Sequence, residues 1–298
     1  MSQDTEQPKL EIGMISIDTD ITLRRMVAHP RSSKGTVLFL HGFPESLFAG
    51  KDIALALAGE YEVHAFDWPG FGFSSRPPID RFSYSPRDFA YVLKRYLDAA
   101  GIDRSKLTIY ATDLGALPTL LLALDDPNIA RSLIVGDFAP FNRPAHMSEN
   151  LRALKSKSAS EQVRAVMNAN REDILASIFL RGLPEEECYE ISREFKDDMA
   201  LAWVRGALTP ADALYHYYSF FTRDQDYFEA NLAKLRTPVT VVWGAGDIYI
   251  KKEMGIELAD RIGADLKLLT GIGHFPHLQA RSQTIEEIRA SFRYLQTR

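Results

Sequence analysis

YATDLGALP, residues 110–118, places an aspartate between small residues at the point where an apolar run meets a helix-like segment. The run LTIYATD, residues 107–113, predicts a buried strand, and the residues after it fit a helix. Ala111 and Gly115 are small enough to relieve crowding where a strand turns sharply into a helix. We therefore expect Asp113 on a tight strand-to-helix turn, where the helix dipole favours the anionic, nucleophilic carboxylate. The alternative is an aspartate that only caps the helix.

Short apolar runs alternate with helix-length segments along most of the chain. LEIGMISI and ITLRRMVA predict an antiparallel pair near the start, joined by a turn at DTD. Further buried strands are predicted at 36–43, 63–69, 107–113, 132–138, 239–247 and 266–274, and helices at 50–59, 86–100, 115–125, 251–262 and 283–297. Strands rich in β-branched residues and separated by helices indicate an α/β fold, with a mostly parallel sheet flanked by helices.

Residues 141–236 break this alternation. They contain helical and charged stretches but no strand signal. Because an ordinary connection is far shorter, the pattern predicts a helical cap inserted after the strand near 132–138. The expected division is a core domain of residues 1–140 and 237–298 and a helical cap domain of residues 141–236.

Composition and charge exclude several classes of partner. The chain has 298 residues, of which 46% are hydrophobic and 25% charged, with a formal net charge of −5. No dense Lys/Arg run is present, so neither nucleic acid nor a membrane is expected as a partner. A single cysteine, Cys188, and the lack of a basic and then apolar leader in the first residues predict a cytoplasmic location.

The residues that follow the predicted strands carry the chemistry, because ligands of open parallel sheets bind beyond the carboxyl ends of the strands. These residues are HGFPES at 41–46, TDLGA at 112–116, AGDIYI at 245–250 and GHFPHL at 273–278. With these motifs in this order, the chain resembles the α/β-hydrolase superfamily from about residue 10 onward. Its aspartate in the position where most of that superfamily has serine, together with HGFPES and GHFPH, resembles the epoxide hydrolase branch.

The resemblance implies covalent catalysis without a cofactor on a small hydrophobic substrate. Asp113 would attack an sp³ carbon to form an alkyl ester, and water activated by His274 would then hydrolyse that ester. The backbone N–H groups of Phe43 and Leu114 would form the oxyanion hole. Whether two copies form a homodimer stays open.

The acid that orients His274 has two candidates. Asp247 satisfies the chain order nucleophile, acid, histidine that the resemblance implies. Asp137, at the end of the preceding predicted strand, is the alternative. His277 lies three residues after His274 and raises the question of a metal site, but no further ligand cluster appears, so no metal is predicted.

An epoxide oxygen leaves as an alkoxide and needs an acid, which the resemblance implies is a tyrosine of the cap. The segment ALYHYYSFF, residues 213–221, aligns Tyr217 with that position, with Tyr215 and Tyr218 as alternatives. No tyrosine lies between Arg143 and Cys188, where relatives carry a second one. The candidates to replace it are His146, Tyr189 and Trp203.

Substrate contacts are predicted for His41, Tyr215 and Trp203, and His41 is also expected to brace the oxyanion loop. The main alternative function is haloalkane or haloacid dehalogenation with the same nucleophile. Leu114 stands where haloalkane dehalogenases have tryptophan, and LGAL lacks the arginines of fluoroacetate dehalogenases. A non-enzymatic, ligand-binding member of the fold is the remaining alternative.

Overall fold

An eight-stranded sheet, in strand order β1-β2-β4-β3-β5-β6-β7-β8, forms the centre of the computed structural model, which describes residues 9–293. Its strands are β1 Lys9–Ser16, β2 Thr22–His29, β3 Thr36–Leu40, β4 Glu62–Phe66, β5 Leu107–Thr112, β6 Ser132–Gly136, β7 Val239–Gly244 and β8 Asp265–Leu269. β2 runs antiparallel to β1 and β4, and the other pairs are parallel. The predicted mostly parallel sheet is confirmed, although β3 to β8 each end before the end of the predicted run because the residues that follow them form loops.

Helices cover both faces of this sheet. They are α1 Lys51–Leu57, α2 Pro86–Ala99, α3 Ala116–Asp125, α4 Glu149–Leu154, α5 Ser160–Ala169, α6 Arg171–Ser177, α7 Arg193–Trp203, α8 Pro210–Ala230, α9 Glu253–Ile262, α10 Pro276–Gln279 and α11 Arg281–Arg293. The predicted helix 283–297 corresponds to α11, and its residues 294–297 lie outside the described part, as do residues 1–8 of the predicted core domain. No helix of residues 9–293 is long and apolar enough to cross a membrane.

Alternate residues of β3 pack into hydrophobic clusters on opposite faces of the sheet. Leu38 and Leu40 belong to a hydrophobic cluster with residues of α2, α3 and α9. Val37 and Phe39 belong to a second cluster with residues of α1 and α11. Since successive side chains of a strand point to opposite faces, a central strand covered on both sides must be apolar throughout.

Two glycines permit close backbone contacts at the ends of β6 and β7. At Gly136, the last residue of β6, a Cβ atom would lie 1.7 Å from the carbonyl oxygen of Val242 on β7. At Gly244, the last residue of β7, a Cβ atom would lie 1.8 Å from the carbonyl oxygen of Gly273. Asp137 follows the first glycine directly, and Asp247 lies three residues after the second. The two close backbone contacts therefore help to position the segments that carry these carboxylates.

The segment between β6 and β7 contains helices α4 to α8 and, apart from one β-bridge between Met147 and Ile250, no strand in any of its residues. Its longest helix, α8, begins at a capping box in which Thr209 and Asp212 each accept the other's backbone N–H. α8 contacts α2 and α3 of the sheet-covering layer. The helical content agrees with the prediction, while its status as a separate domain stays a prediction.

A buried arginine ties this helical segment to the sheet. Arg24 of β2 donates from Nε to Asp67 Oδ2 at 2.5 Å, and its two terminal nitrogens donate to both carboxylate oxygens of Asp198 on α7 at 2.6 and 2.8 Å. All three side chains are at least nine-tenths buried. Removing one partner would leave an uncompensated buried charge, which typically costs several kcal/mol (about 3–5).

Candidate active site

Asp113 stands at the sharp turn between β5 and α3, as predicted. Its φ of 49° lies in the left-handed region, which non-glycine residues rarely adopt. The surrounding backbone leaves little room, because a Cβ atom on Gly42 would lie 2.5 Å from the Cβ atom of Asp113. The aspartate is therefore held in a strained conformation that the neighbouring loop maintains.

Two groups hold the Asp113 carboxylate, one on each oxygen. Oδ1 accepts the backbone N–H of Phe43 at 2.8 Å, and Oδ2 lies 3.2 Å from Nε2 of His274. The backbone N–H of Leu114 makes no hydrogen bond to Asp113 within the described residues, so its role in an oxyanion hole stays a prediction. One carboxylate oxygen is thus next to a backbone donor and the other is next to a titratable ring.

Asp247 orients the His274 ring from the other side. Its Oδ2 lies 2.7 Å from Nδ1 of His274, and its Oδ1 accepts the backbone N–H groups of Tyr249 and Ile250 at 2.8 and 3.1 Å. Because a carboxylate can only accept here, His274 carries a proton on Nδ1 and presents Nε2 to Asp113.

The pKa of His274 lies well above its ordinary value. Burial alone would lower this pKa, but the negative charge of Asp247 and the contacts with Asp113 outweigh burial. In the resting site the ring is therefore an imidazolium held between two carboxylates.

Asp137, the alternative acid, lies beside this pair but makes a different contact. It follows β6 with a φ of 52°, is buried, and accepts the backbone N–H of Gly244 at 2.9 Å. Burial, together with the charge of Asp247, raises the pKa of Asp137 well above its ordinary value. Asp137, Asp247 and His274 bring ligand atoms within 4.8 Å of one another, but Asp247 already occupies Nδ1 of His274.

A cavity of about 310 Å³ opens between the Asp113 turn and the helical segment. Its polar lining includes Asp113, His274, Ser148 and Arg181. Most other lining residues are apolar, namely Phe43, Leu114, Phe138, Ala139, Leu151, Leu154, Met167, Ile174, Ile178, Leu214, Phe221, Ile248, Ile250 and Phe275. This lining suits a largely hydrophobic small molecule.

Tyr217 and Tyr218 both line the cavity but differ in their hydrogen bonds. The Tyr217 hydroxyl donates to the carbonyl oxygen of Leu114 at 3.0 Å. The Tyr218 hydroxyl has no hydrogen-bond partner among the residues described. Burial raises the pKa of both phenols well above the ordinary value, and the charge of Asp113 adds to this shift, so both stay protonated.

His41 does not reach the cavity, which corrects the predicted substrate contact. It is fully buried, its Nε2 accepts the backbone N–H of Trp68 at 3.3 Å, and its Nδ1 lies 2.8 Å from the carbonyl oxygen of Gly42. Burial lowers the pKa of His41, so a neutral ring with the proton on Nδ1 holds the Gly42 carbonyl. This arrangement agrees with the expected brace of the oxyanion loop.

The structure likewise places Tyr215 and Trp203 away from the cavity, a second correction. The hydroxyl of Tyr215 donates to Glu161 at 2.6 Å on the exposed side of α8. The indole nitrogen of Trp203 faces Asn168 at 3.4 Å, and its ring packs edge-on against Phe43. Trp203 therefore supports the cavity wall from behind.

Ser148 is a cavity residue that the sequence analysis missed. Its hydroxyl is buried and has no hydrogen-bond partner in the described part of the chain, and the residue lines the cavity at the start of α4. Neither His146 nor Tyr189 lines the cavity, and the Tyr189 hydroxyl donates to the carbonyl oxygen of Phe179 at 3.1 Å. In the sequence, Ser148 resembles an ordinary helix cap, so only the structure distinguishes it.

Comparisons with known proteins agree with this fold. A family model described as alpha/beta hydrolase fold matches residues 35–280. A fluoroacetate dehalogenase of Burkholderia sp is 34% identical over 123 residues, which cover 41% of this chain and 39% of that protein. Epoxide hydrolase 4 of Homo sapiens is 24% identical over 238 residues, covering 76% and 63%.

A solved structure, Cfl2 wild-type from Burkholderia cenocepacia, has a TM-score of 0.78 at 19% identity, covering 97% of this chain and 98% of that one. At this identity the likeness concerns the fold alone. The matches to the two curated relatives span less than two thirds of either relative's length.

Proposed function

This chain belongs to the α/β-hydrolase fold family, and from that premise we propose that it is a hydrolase that opens epoxides to vicinal diols through an ester on Asp113. One observation carries the proposal: the Asp113 carboxylate lies between the Phe43 N–H and the His274–Asp247 pair at the floor of a largely apolar cavity. A carboxylate nucleophile with a histidine beside it suits attack on an sp³ carbon followed by ester hydrolysis.

In the first step, Oδ2 of Asp113 attacks an epoxide carbon, and the ring C–O bond breaks with its electron pair on oxygen. Tyr218 is our choice for the donor to this oxygen, because it lines the cavity and its hydroxyl is unpaired among the described residues. Tyr217 is the alternative donor. It ranks second because its hydroxyl already donates to the Leu114 carbonyl oxygen. Either phenol is protonated when the epoxide binds.

Ester formation removes the negative charge of Asp113 and so removes one cause of the raised pKa of His274. The alkoxide takes the proton of the tyrosine, and the proton that His274 releases restores that phenol, so the site then holds a neutral ester, a neutral imidazole, a neutral tyrosine and an alcohol. His274 becomes a base at the moment when the second step needs one.

In the second step, a water loses a proton to Nε2 of His274 and attacks Cγ of Asp113. The oxyanion forms on Oδ1, which already accepts the Phe43 N–H at 2.8 Å. Collapse breaks the bond between Cγ and the alkyl oxygen, and the leaving oxygen takes the proton of the new carboxyl group. The diol is then released, and the carboxylate and the imidazolium are restored.

The charge distribution of the cavity disfavours a haloacid substrate. Its one lining guanidinium among the described residues, Arg181, donates to Asp173 at 2.8 Å. A substrate carboxylate would therefore compete with an existing ion pair. The partial match to a fluoroacetate dehalogenase keeps dehalogenation as the alternative to be tested.

A panel of neutral aryl and alkyl epoxides, haloalkanes and fluoroacetate tests the proposal, with diol and halide measured in the same samples. We expect diol release from epoxides that fit a cavity of about 310 Å³, and no fluoride release. Halide release without diol formation would refute the proposed epoxide opening and would show that the protein is a dehalogenase. A cytoplasmic location is part of this proposal.

A further inference from the structure

Glu45 and His277 form a fully buried pair that the reaction above does not use. His277 Nε2 lies 2.6 Å from Glu45 Oε1, and both side chains are completely buried. Nδ1 of His277 is buried without a hydrogen-bond partner among the residues described, so the ring makes its one hydrogen bond to Glu45. The other carboxylate oxygen of Glu45 accepts the backbone N–H of Gly42 at 2.8 Å.

The pair joins two segments that carry parts of the active site. Glu45 lies two residues after Phe43 on the loop that follows β3, and His277 lies three residues after His274, on α10. The rings of Phe39 on β3 and Phe275 pack against His277. A change at either member can therefore alter the distance between the Phe43 loop and the His274 segment.

The contact with Gly42 bears on the Phe43 N–H through the Gly42 backbone. The Gly42 carbonyl belongs to the same planar peptide unit as that N–H, and it accepts the backbone N–H of Glu45 at 3.1 Å. A glycine permits rotation of this unit at little steric cost. Its orientation is therefore set by hydrogen bonds. The Gly42 carbonyl accepts from His41 Nδ1 and from the Glu45 backbone N–H, and the Glu45 carboxylate holds the preceding peptide unit through the Gly42 N–H.

We propose that Glu45 and His277 are positioning residues that fix the Phe43 N–H against Oδ1 of Asp113, within the reaction proposed above, on which this inference rests. Negative charge returns to Oδ1 when water attacks the ester, and it leaves Asp113 when the ester forms. Loss of the pair should therefore slow ester hydrolysis more than alkylation. We expect a decrease of roughly ten- to a hundredfold in hydrolysis, below the loss of a whole oxyanion donor.

Single-turnover kinetics of Glu45→Gln and His277→Phe test this selectivity. The matched control is His64→Phe, which breaks another histidine–glutamate contact, partly buried, between His64 Nε2 and Glu62 Oε1 at 2.7 Å, outside the cavity lining. The rate ratio of hydrolysis to alkylation should fall in the first two variants and not in the control. His277→Gln keeps a donor for Glu45 and should recover most of the ratio. Equal slowing of both steps would overturn the proposal.

A second readout does not depend on any substrate. In protein labelled with ¹⁵N-phenylalanine, the Phe43 amide proton should move upfield and exchange faster in Glu45→Gln and His277→Phe, while His64→Phe leaves it unchanged. An unchanged Phe43 resonance in both variants would refute the positioning role. If the wild-type protein opens no epoxide, the proposed function fails, and this amide measurement still decides the positioning role.

Discussion

Asp113 and Asp137 end neighbouring parallel strands, and both have positive φ, 49° and 52°. Two strained aspartates side by side are costly, because the left-handed region disfavours residues with a Cβ atom by roughly 1–2 kcal/mol. The two carboxyl groups nevertheless lie in different environments. Asp113 faces the cavity with donors on both oxygens, while Asp137 is buried, which raises the pKa of its carboxyl group.

The strain at Asp113 predicts a difference between two inactive variants. Both Asp113→Ala and Asp113→Gly remove the nucleophile and should abolish turnover. Glycine adopts a φ of 49° without penalty, so Asp113→Gly should unfold with a free energy about 1 kcal/mol larger than Asp113→Ala. Urea denaturation of both variants measures this difference. Turnover by Asp113→Ala at the wild-type rate would exclude Asp113 as the nucleophile.

His274→Gln should stop the reaction after its first step, because only ester hydrolysis needs the base. Intact-protein mass spectrometry should then show an adduct equal to the mass of the whole epoxide, located on Asp113 by peptide mapping. With a haloalkane, the added mass would be that of the substrate less the hydrogen halide. If no adduct accumulates with a substrate that the wild-type protein turns over, water attacks directly and Asp113 acts as a base.

The two cavity tyrosines should respond differently to loss of their hydroxyls. Tyr218→Phe should slow alkylation by roughly 10²–10³-fold, the effect of losing one positioned donor, while hydrolysis of the ester is nearly unchanged. Tyr217→Phe removes the hydrogen bond to the Leu114 carbonyl and should have the smaller effect on alkylation. Rapid-mixing measurement of both steps separates the two roles. The opposite ranking would assign the donor to Tyr217.

Asp137 and Asp247 differ in their contact with His274. Asp137 accepts the backbone N–H of Gly244 and makes no hydrogen bond to His274 among the described residues, so Asp137→Asn should retain most activity. Asp247→Asn removes the acceptor for Nδ1 of His274 and should slow turnover by several orders of magnitude, about 10⁴-fold in a comparable triad. Steady-state rates of the two variants test this. Equal losses would show that both acids act on His274.

Removal of the Asp113 charge should lower the pKa of His274. In Asp113→Ala one of the two carboxylates that raise this pKa is absent, so the ring should lose its proton at lower pH than in the wild-type protein. NMR titration of the ring C–H resonance measures the change. An unchanged pKa would contradict the proposed release of the base on ester formation.

The raised pKa of His274 also makes the stability of the folded protein depend on pH. Because the pKa is raised in the folded state, ionisation of His274 stabilises the native protein fully below the unfolded value of about 6.5. This contribution is lost as pH rises through the folded pKa. The free energy of unfolding of the wild-type protein should therefore fall over that range relative to His274→Gln.

The sequence predicts this fold well where local pattern and packing agree. The alternation of apolar runs and helices located every strand of the described sheet, and motif order brought Asp113, Asp247 and His274 together. The resemblance ranked Tyr217 ahead of Tyr218, but adjacent positions of a helix differ by rotation about its axis, so only the structure shows that the Tyr217 hydroxyl is bonded to the Leu114 carbonyl. The sequence pattern also could not reveal the Glu45–His277 contact, which joins residues 232 positions apart.

The buried ion pair between Arg24 and Asp198 limits how freely the helical segment can be exchanged between related proteins. A helical segment exchanged with that of a relative brings its own residue to the position of Asp198, while Arg24 stays behind in β2. Unless that residue is again an acid, the Arg24 guanidinium of the hybrid keeps Asp67 but loses its second carboxylate partner. Recombination between such proteins is therefore constrained far from the catalytic centre, and chimaeras of this chain should be built with Arg24, Asp67 and Asp198 inherited as one unit.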